Sequence, residues 1–257
     1  MPMAYNLQEE FHLLTKPGEI GSYVILTGDP GRCERIASHL DDAHPVSSNR
    51  EFTTYTGSLN GASVSVCSTG IGGPSAAIAL EELIHCGAHT FIRVGSSGGM
   101  DVNVLGGDLV IASGAIRAEG TTREYAPIEF PAVADISVVC ALREAADKLG
   151  YRHHTGVVQS KDSFYGQHDP DSMPVAPLLN NNWDAWMKCG ALASEMECAA
   201  LFIVGSVRRV RVGGILTVLG NQTRQEQGLE DVQCMDTERV IETAVEAMRI
   251  LIAQDNR

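Results

Sequence analysis

The sequence predicts an α/β domain with a largely parallel sheet, on three observations. Short apolar runs typical of buried strands alternate with segments of helical spacing. The 257 residues are 44% hydrophobic and 20% charged, which is an ordinary globular composition. No linker, charge block or internal repeat divides the chain, so one domain over residues 1–257 is favoured over two small ones.

The first third of the chain carries strand and turn signals. Residues 22–27 are an apolar run that ends in the turn sequence 28–31, which predicts a short buried strand. Helical spacing follows over residues 32–40. The pattern over 51–68 predicts a hairpin that turns at residues 59–61, because Leu-Asn-Gly suits a tight connection.

The middle of the chain begins with a glycine-rich segment, residues 70–75, which follows a strand and opens a helix. It is a weak signal for a dinucleotide site, because no acidic residue lies ~20 positions later to bind ribose hydroxyls. The alternative is close packing of the helix on the strand. Strands are predicted at 90–94 and 108–116, and a helix at 136–149 that ends at Gly150.

The last third alternates in the same way. We expect strands at 155–158 and 212–219, with a helix at 197–207 between them. An amphipathic helix over 237–253 closes the chain. In parallel sheets ligands bind beyond the carboxyl ends of the strands, so the residues that follow these strands are the candidates for a site.

Composition excludes several classes of protein. The net charge of −13 argues against nucleic-acid binding, which needs a basic face. No apolar run approaches the ~20 residues that span a bilayer, and residues 1–10 lack the pattern of a signal peptide. The seven cysteines include no Cys-x-x-Cys pair, which indicates reduced thiols in a cytoplasmic protein. We therefore expect neither a nucleic-acid nor a membrane partner.

Three arginines at strand ends and turns are the most informative feature of the chain. Arg93 interrupts an apolar strand that runs into glycine and serine, and buried arginine needs an anion or a carboxylate. Arg32 follows a glycine-rich turn, and Arg50 precedes the hairpin. The guanidinium geometry suits a small dianion such as phosphate, which the backbone at Gly28 and the hydroxyl of Ser96 would help to hold. Pairing with nearby acids is the alternative, and it is favoured for Arg50 taken alone.

Two further segments carry chemistry. Glu195 and Glu197 flank Met196 just before an apolar helical run. These carboxylates either stabilise the start of the helix through its dipole or accept hydrogen bonds from the vicinal hydroxyls of a sugar, with Met196 beneath the sugar ring. Phe164 suits stacking on a planar ring, and Gln167 suits an amide-like base edge. The alternative for the second segment is a polar surface loop with one aromatic anchor.

Taken together, these motifs resemble the nucleoside phosphorylase-I family and, within it, the uridine phosphorylases. The matching stretches span nearly the whole chain, and the most specific are residues 28–32, 50–54, 67–75, 164–167 and 195–197. The resemblance implies a single three-layer α/β/α domain with a central mixed sheet. It also implies a pentosyltransferase of pyrimidine salvage, which converts nucleoside and phosphate into free base and ribose 1-phosphate.

The same resemblance implies a role for each site residue. Phosphate would be bound by Gly28, Arg32, Arg50, Arg93 and Ser96. Ribose would be bound by His12, Met196 and Glu197, and the base by Phe164, Gln167 and Gln222. Catalysis would rest on Arg93, Glu197 and Gln167. The family forms homo-hexamers, trimers of dimers, in which Arg50 and His12 reach into the neighbour's site. No cofactor is required, although positions Glu51, Ile71 and Ser75 match a monovalent cation site, for example for K⁺, at the dimer interface.

This chain departs from the family's pattern at the base end. Many uridine phosphorylases carry an arginine where this chain has Asp169, and another where Gln222 follows Asn221. Water, Gln222, Arg224 or a residue near Ser172 are the candidates to replace them. Ser96 stands where threonine is usual, with the hydroxyl retained.

Three alternative functions follow from the same residues. A purine or broad-specificity phosphorylase is disfavoured because no acidic residue lies at the end of the late strand, residues 218–221. A hydrolytic nucleosidase is disfavoured because all three arginines are retained. A non-catalytic nucleoside-binding protein is disfavoured because Glu197 accompanies them.

Overall fold

The computed structural model describes residues 9–257, so residues 1–8, part of the segment expected to lack a signal peptide, lie outside it. The strands are β1 (Tyr23–Thr27), β2 (Asp41–Asn49), β3 (Phe52–Leu59), β4 (Ala62–Ser68), β5 (Thr90–Gly99), β6 (Leu109–Ala118), β7 (Ala132–Val133), β8 (His153–Lys161), β9 (Ala193–Glu195) and β10 (Arg211–Asn221). The α-helices are α1 (Gly31–Ala37), α2 (Gly73–His85), α3 (Ile136–Leu149), α4 (Phe164–His168), α5 (Ala176–Lys188), α6 (Cys198–Arg208), α7 (Gln222–Glu226) and α8 (Glu238–Asp255). Short 3₁₀ turns occur at Thr121–Glu124 and Pro170–Ser172.

All ten strands belong to one sheet, in the order β10-β6-β8-β9-β5-β1-β4-β3-β2, with β7 paired to β6. β10 also pairs with β5, so β5, β9, β8, β6 and β10 close into a ring from which β1, β4, β3 and β2 extend. β1 is parallel to β4 and β5, whereas β3 is antiparallel to β2 and β4. The mixed sheet implied by the family resemblance is therefore confirmed, and the sheet is less parallel than the element pattern alone predicts.

Two apolar clusters lie on opposite faces of the sheet. Alternate residues of β1 enter different clusters, because successive side chains of a strand point to opposite faces. Val24 and Leu26 pack in the cluster that contains residues of α2 and α6, and Tyr23 and Ile25 pack in the cluster that contains residues of α1, α3 and α8. Helices therefore cover both faces, as the three-layer prediction requires. Within residues 9–257, no helix combines the length and the hydropathy needed to cross a bilayer.

Six elements were not predicted from the sequence, namely β2, β7, β9, α4, α5 and α7, and the two longest, β2 and α5, each have a physical reason. β2 is mostly polar, contains Pro45 and pairs only with β3 at the edge of the sheet, so it lacks apolar alternation. α5 has no buried residue and lies between the segment 161–168 and β9. Elsewhere the predicted elements are present, and Gly150 ends α3 in the left-handed conformation expected of a C-cap, with φ of 72°.

Candidate active site

A cleft of about 1130 Å³ lies where the carboxyl ends of β1, β5, β8 and β10 converge. The sequence placed a site beyond strand ends, and most of the predicted site residues line this cleft. They are Gly28, Arg32, Glu51, Ile71, Ser75, Arg93, Ser96, Phe164, Gln167, Met196, Glu197 and Gln222. Arg50 and His12 do not line it. The fold therefore brings twelve residues from distant parts of the sequence into one cavity.

Arg93 occupies the middle of β5 and is only 4% exposed. Its Nη2 donates to a Glu197 carboxylate oxygen, and its Nε lies 3.3 Å from Oε2 of Glu195. Burial opposes the charge of Arg93, but the two carboxylates outweigh burial and raise the pKa of the guanidinium. Its Nη1 is buried without a hydrogen-bond partner among residues 9–257. A buried cationic donor without a partner at a cleft is the mark of a site for an anion.

Arg32 reaches the same cleft from α1. Its Nη1 donates to the Thr27 hydroxyl at 3.2 Å. Burial lowers the pKa of Arg32, the Asp29 carboxylate opposes that shift, and the positive charge of Arg93 adds to it. Two guanidinium groups that repel each other are stabilised together when an anion lies between them.

The two carboxylates that flank Met196 have different structural roles. Glu195 accepts from the backbone N–H of Glu197 at 2.8 Å and of Cys198 at 3.0 Å, so it caps the start of α6. Glu197 makes no such cap and instead pairs with Arg93. Burial raises the pKa of Glu197, and Arg93 opposes that shift. The capping alternative therefore applies to Glu195, whereas Glu197 presents a carboxylate to the cleft.

The glycine-rich segment holds Glu197 in place. The backbone N–H of Gly72 donates to Oε1 of Glu197 at 2.7 Å. Gly72 has φ of 94°, which side-chain-bearing residues rarely adopt. Gly73, next to it, packs so closely that an added Cβ would lie 2.8 Å from Oγ1 of Thr121. Both interpretations of this segment, helix packing and a functional role, thus apply to adjacent residues.

We predict that Gly95→Ala will lower kcat/KM about 10- to 100-fold, because Gly95 leaves room for the Arg93 guanidinium. An added Cβ would lie 2.6 Å from Cδ2 of Leu216 and 3.0 Å from Nη2 of Arg93, so that the guanidinium must move. The overpacking should also cost about 1–3 kcal/mol of stability. Steady-state kinetics and thermal unfolding would test this.

Gly98→Ala provides the control for stability, since an added Cβ there meets no atom within 4 Å. A Gly95→Ala enzyme with wild-type kinetics would contradict the placement of Arg93.

The other end of the cleft holds the residues assigned to the base. Gln167 Nε2 donates to Oε1 of Gln222 at 3.2 Å, and its Oε1 accepts from the Ser194 hydroxyl at 2.6 Å. Phe164 is half exposed, with its ring 4.3 Å from that of His168. A planar base bound at this end would therefore contact one aromatic face and two side-chain amides.

Sequence reasoning missed Lys161 as a site residue. It ends β8, lines the cleft and is 8% exposed. Its signal was weak, because the only apolar side chains of β8 are Val157 and Val158, and polar residues precede and follow Lys161. Arg224 and Ser172, candidates for contacting the base, do not line the cleft: Arg224 donates to the carbonyls of Glu230 and Val102.

His12 and Arg50 do not line the cleft of their own chain. The His12 ring nitrogen Nδ1 is 2.6 Å from Oε1 of Glu82, and the His12 carbonyl accepts from Asn49 at 2.7 Å. Arg50 is exposed in the turn between β2 and β3, with φ of 54°. Within one chain neither residue can serve the role assigned to it, so both roles stay predictions that require a second subunit.

The residues assigned to the monovalent cation, Glu51, Ile71 and Ser75, lie at the edge of the cleft. The Ser75 hydroxyl donates to Oε1 of Glu51 at 2.9 Å, and Ile71 is 77% exposed. The backbone N–H of Glu51 and the Ser75 hydroxyl lower the pKa of Glu51, so its carboxylate is ionised at neutral pH. Among residues 9–257, no three His, Cys, Asp or Glu side chains are grouped to hold a metal ion.

Fold and site together define an α/β enzyme with two guanidinium groups, a buried carboxylate and an aromatic side chain in one cleft. The sequence model of the phosphorylase superfamily matches residues 22–254, and the chain belongs to that superfamily. It is similar to the uridine phosphorylase of Treponema pallidum, with 59% identity covering 100% of this chain and 99% of that protein. It also resembles the uridine phosphorylase of Thermococcus kodakarensis, with 44% identity over 85% and 80% of the two chains. The guanosine phosphorylase of Halorubrum lacusprofundi is 37% identical over 94% and 95%.

Proposed function

We propose that this chain is a uridine phosphorylase, a pentosyltransferase that converts uridine and phosphate reversibly into uracil and ribose 1-phosphate. One observation carries the proposal: a buried arginine with an unpartnered donor lies beside a carboxylate in a cleft whose far end is aromatic and amide-rich. That arrangement suits phosphate, ribose and a base in a row. The similarity to uridine phosphorylases over the full chain supports it.

Phosphate binds between Arg32 and Arg93, helped by the Ser96 hydroxyl and the Gly28 backbone. Glu197 accepts hydrogen bonds from the ribose hydroxyls, and Met196 packs against the sugar. Because Glu197 pairs with Arg93, binding of phosphate and of ribose is coupled through one ion pair.

Breaking the bond between C1′ and N1 builds positive charge on the ribose, as in glycoside cleavage. The phosphate dianion below C1′ is both nucleophile and counter-charge, and its positioning supplies about 7–11 kcal/mol of barrier reduction. The base leaves as an anion, which donors at the Gln167 and Gln222 end stabilise.

The active unit extends beyond one chain. We infer a homo-hexamer, a trimer of dimers, in which Arg50 and His12 complete the partner's site for phosphate and ribose. Arg50 is exposed and does not line its own cleft, which supports this arrangement. A cytoplasmic location is inferred as well, and the seven free cysteines support it.

A monovalent cation is proposed at the same interface. The residues fit K⁺, because an ionised Glu51, the Ser75 hydroxyl and the Ile71 carbonyl offer hard oxygen donors. Bound there, the cation would supply positive charge near the phosphate pocket.

A purine or broad-specificity phosphorylase is the second candidate, since one relative is a guanosine phosphorylase. We expect rapid release of uracil from uridine only when phosphate is present, with slower turnover of thymidine and little of inosine or guanosine. A panel of these nucleosides, assayed with and without phosphate, would test both candidates.

Arsenate in place of phosphate serves as a positive control for an anion nucleophile. Equal turnover without any anion would refute phosphorolysis and favour hydrolysis. A preference for guanosine over uridine would favour the purine or broad-specificity phosphorylase. Tight binding of uridine without formation of product would indicate a non-catalytic nucleoside-binding protein.

A further inference from the structure

The base end of the cleft needs a positive charge. As the C1′–N1 bond breaks, the electron pair passes to the base and spreads onto its carbonyl oxygens. Gln167 and Gln222 are neutral donors, and charge-assisted hydrogen bonds to an anion are about twice as strong as neutral ones. A cation near these amides would favour the transition state over bound uridine.

We infer that Lys161 supplies this charge: its ammonium group donates to a carbonyl oxygen of the base and stabilises the base as it leaves. The inference rests on the proposed function and adds to it the residue that replaces the missing arginines. It follows from the position of Lys161, its single hydrogen bond and the other cations nearby.

Lys161 is positioned for this role. Its Nζ donates to the Ser194 hydroxyl at 2.7 Å and lies 6.0 Å from the centre of the Phe164 ring, the proposed stacking surface for the base. No carboxylate among residues 9–257 lies within salt-bridge distance of Nζ, so further N–H donors are available to a ligand.

The other cations of the cleft are less suited. Arg32 and Arg93 belong to the anion pocket, and Arg224 is held by backbone carbonyls elsewhere. Burial, together with the charge of Lys161, lowers the pKa of His168, so its ring is neutral at pH 7. Among the described residues, Lys161 is therefore the positively charged group at the base end, where Glu226 is the neighbouring carboxylate and accepts from Nε2 of Gln222 at 2.9 Å.

Ser194 links Lys161 by hydrogen bonds to Gln167, the amide proposed to recognise the base. Its one hydroxyl proton faces two acceptors, Oε1 of Gln159 at 2.5 Å and Oε1 of Gln167 at 2.6 Å. When the proton turns to Gln159, Oε1 of Gln167 is free to accept from the base, its Nε2 still donates to Gln222, and Ser194 still accepts from Lys161. The phosphate oxygen then forms its bond to C1′, and solvent protonates N1 of the released anion.

The pH dependence distinguishes this role from a structural one. Burial lowers the pKa of Lys161 to about 8, although Glu195 and Glu197 oppose the shift. The ammonium is charged below that pH and neutral above it, so kcat/KM for uridine should fall as pH rises through about 8. Lys161→Arg should lose this fall, because arginine stays charged. Ionisation of uridine itself is common to both enzymes.

The decisive experiment compares Lys161→Met with wild type on uridine and on 5-fluorouridine, with thermal unfolding as a control for folding. We expect about 10²-fold lower kcat/KM on uridine. The loss on 5-fluorouridine should be several-fold smaller, because its more acidic base needs less stabilisation. Equal losses on both substrates, or less than a threefold loss on uridine, would overturn the inference.

Two further results separate this inference from the proposed function. If Lys161→Met fails to fold, the profile of Lys161→Arg decides: a fall near pH 8 that persists in Lys161→Arg overturns the role of the lysine. A wild-type enzyme that cleaves uridine only with phosphate, yet ignores the loss of Lys161, would refute this inference alone. A wild type that does not cleave uridine would refute the proposed function.

Discussion

Arg93→Ala should abolish most of the activity, with kcat/KM about 10³-fold below wild type, equivalent to about 4 kcal/mol of transition-state stabilisation. Arg93 serves both reacting partners, since it faces the anion pocket and pairs with Glu197. Its loss removes a charge-assisted contact to phosphate and releases the carboxylate proposed to hold ribose. Steady-state kinetics with uridine and phosphate varied separately would measure both effects.

The same substitution should destabilise the protein by about 3–5 kcal/mol, because Glu195 and Glu197 would be left buried without a cation. The loss of stability should depend on pH in a definite direction. Burial raises the pKa of Glu197, and without the opposing charge of Arg93 that pKa is higher still, so the folded state binds more protons than the unfolded state. The deficit against wild type should therefore be smaller at pH 5 than at pH 8, as measured by denaturant unfolding.

Two matched variants separate stability from catalysis. Arg93→Lys keeps a positive charge between the carboxylates but loses the guanidinium fork, so it should recover most of the stability and little of the activity. Arg32→Ala removes a phosphate donor that pairs with no buried carboxylate, and should mainly raise KM for phosphate. A folded Arg93→Ala enzyme within tenfold of wild type would contradict the role of Arg93.

The sequence predicted the helices and strands that are specified by a local pattern of apolar residues and turn signals. β1 is a continuous apolar run, β5 begins as one that Arg93 interrupts, and α3 carries both an apolar stripe and a glycine C-cap. β2 escaped prediction because an exposed edge strand stabilised by pairing with β3 needs no apolar face. The ring closure of the sheet depends on the contact between β5 and β10, residues more than a hundred positions apart, which no local pattern encodes.

The site was predictable to a similar degree. Arg93 was recognisable because a charge in an apolar strand requires a partner. The residue pattern alone did not reveal that Glu195 caps α6 while Glu197 faces the cleft, because the two differ only in where the helix begins; only the family resemblance singled out Glu197. Lys161 was missed because its burial arises from the approach of β9 and α4, and a lysine in a polar segment is usually solvated.

Subunits carrying Arg50→Gln and Glu197→Gln should each be nearly inactive alone, yet regain activity when combined. In a two-fold dimer with shared sites, each site takes Glu197 from one chain and Arg50 from the other. A mixed dimer then has one intact site and one doubly defective site. Random pairing from equal amounts of both chains gives about a quarter of the wild-type sites. Co-expression of the two chains at equal levels, with the same tag on both so that every dimer is recovered, followed by purification and kinetics, would measure this recovery.

The control pair is Arg93→Lys with Glu197→Gln, because both residues line the cleft of the same chain and no mixed dimer contains an intact site. This pair should show no recovery at the same expression level. The contrast follows from position: Arg50 is exposed between β2 and β3 and does not line its own cleft, whereas Arg93 and Glu197 are in contact within one. Recovery in neither pair would mean that Arg50 acts within its own chain or has no part in the reaction. Recovery in the first pair alone would establish that a single subunit lacks a complete active site.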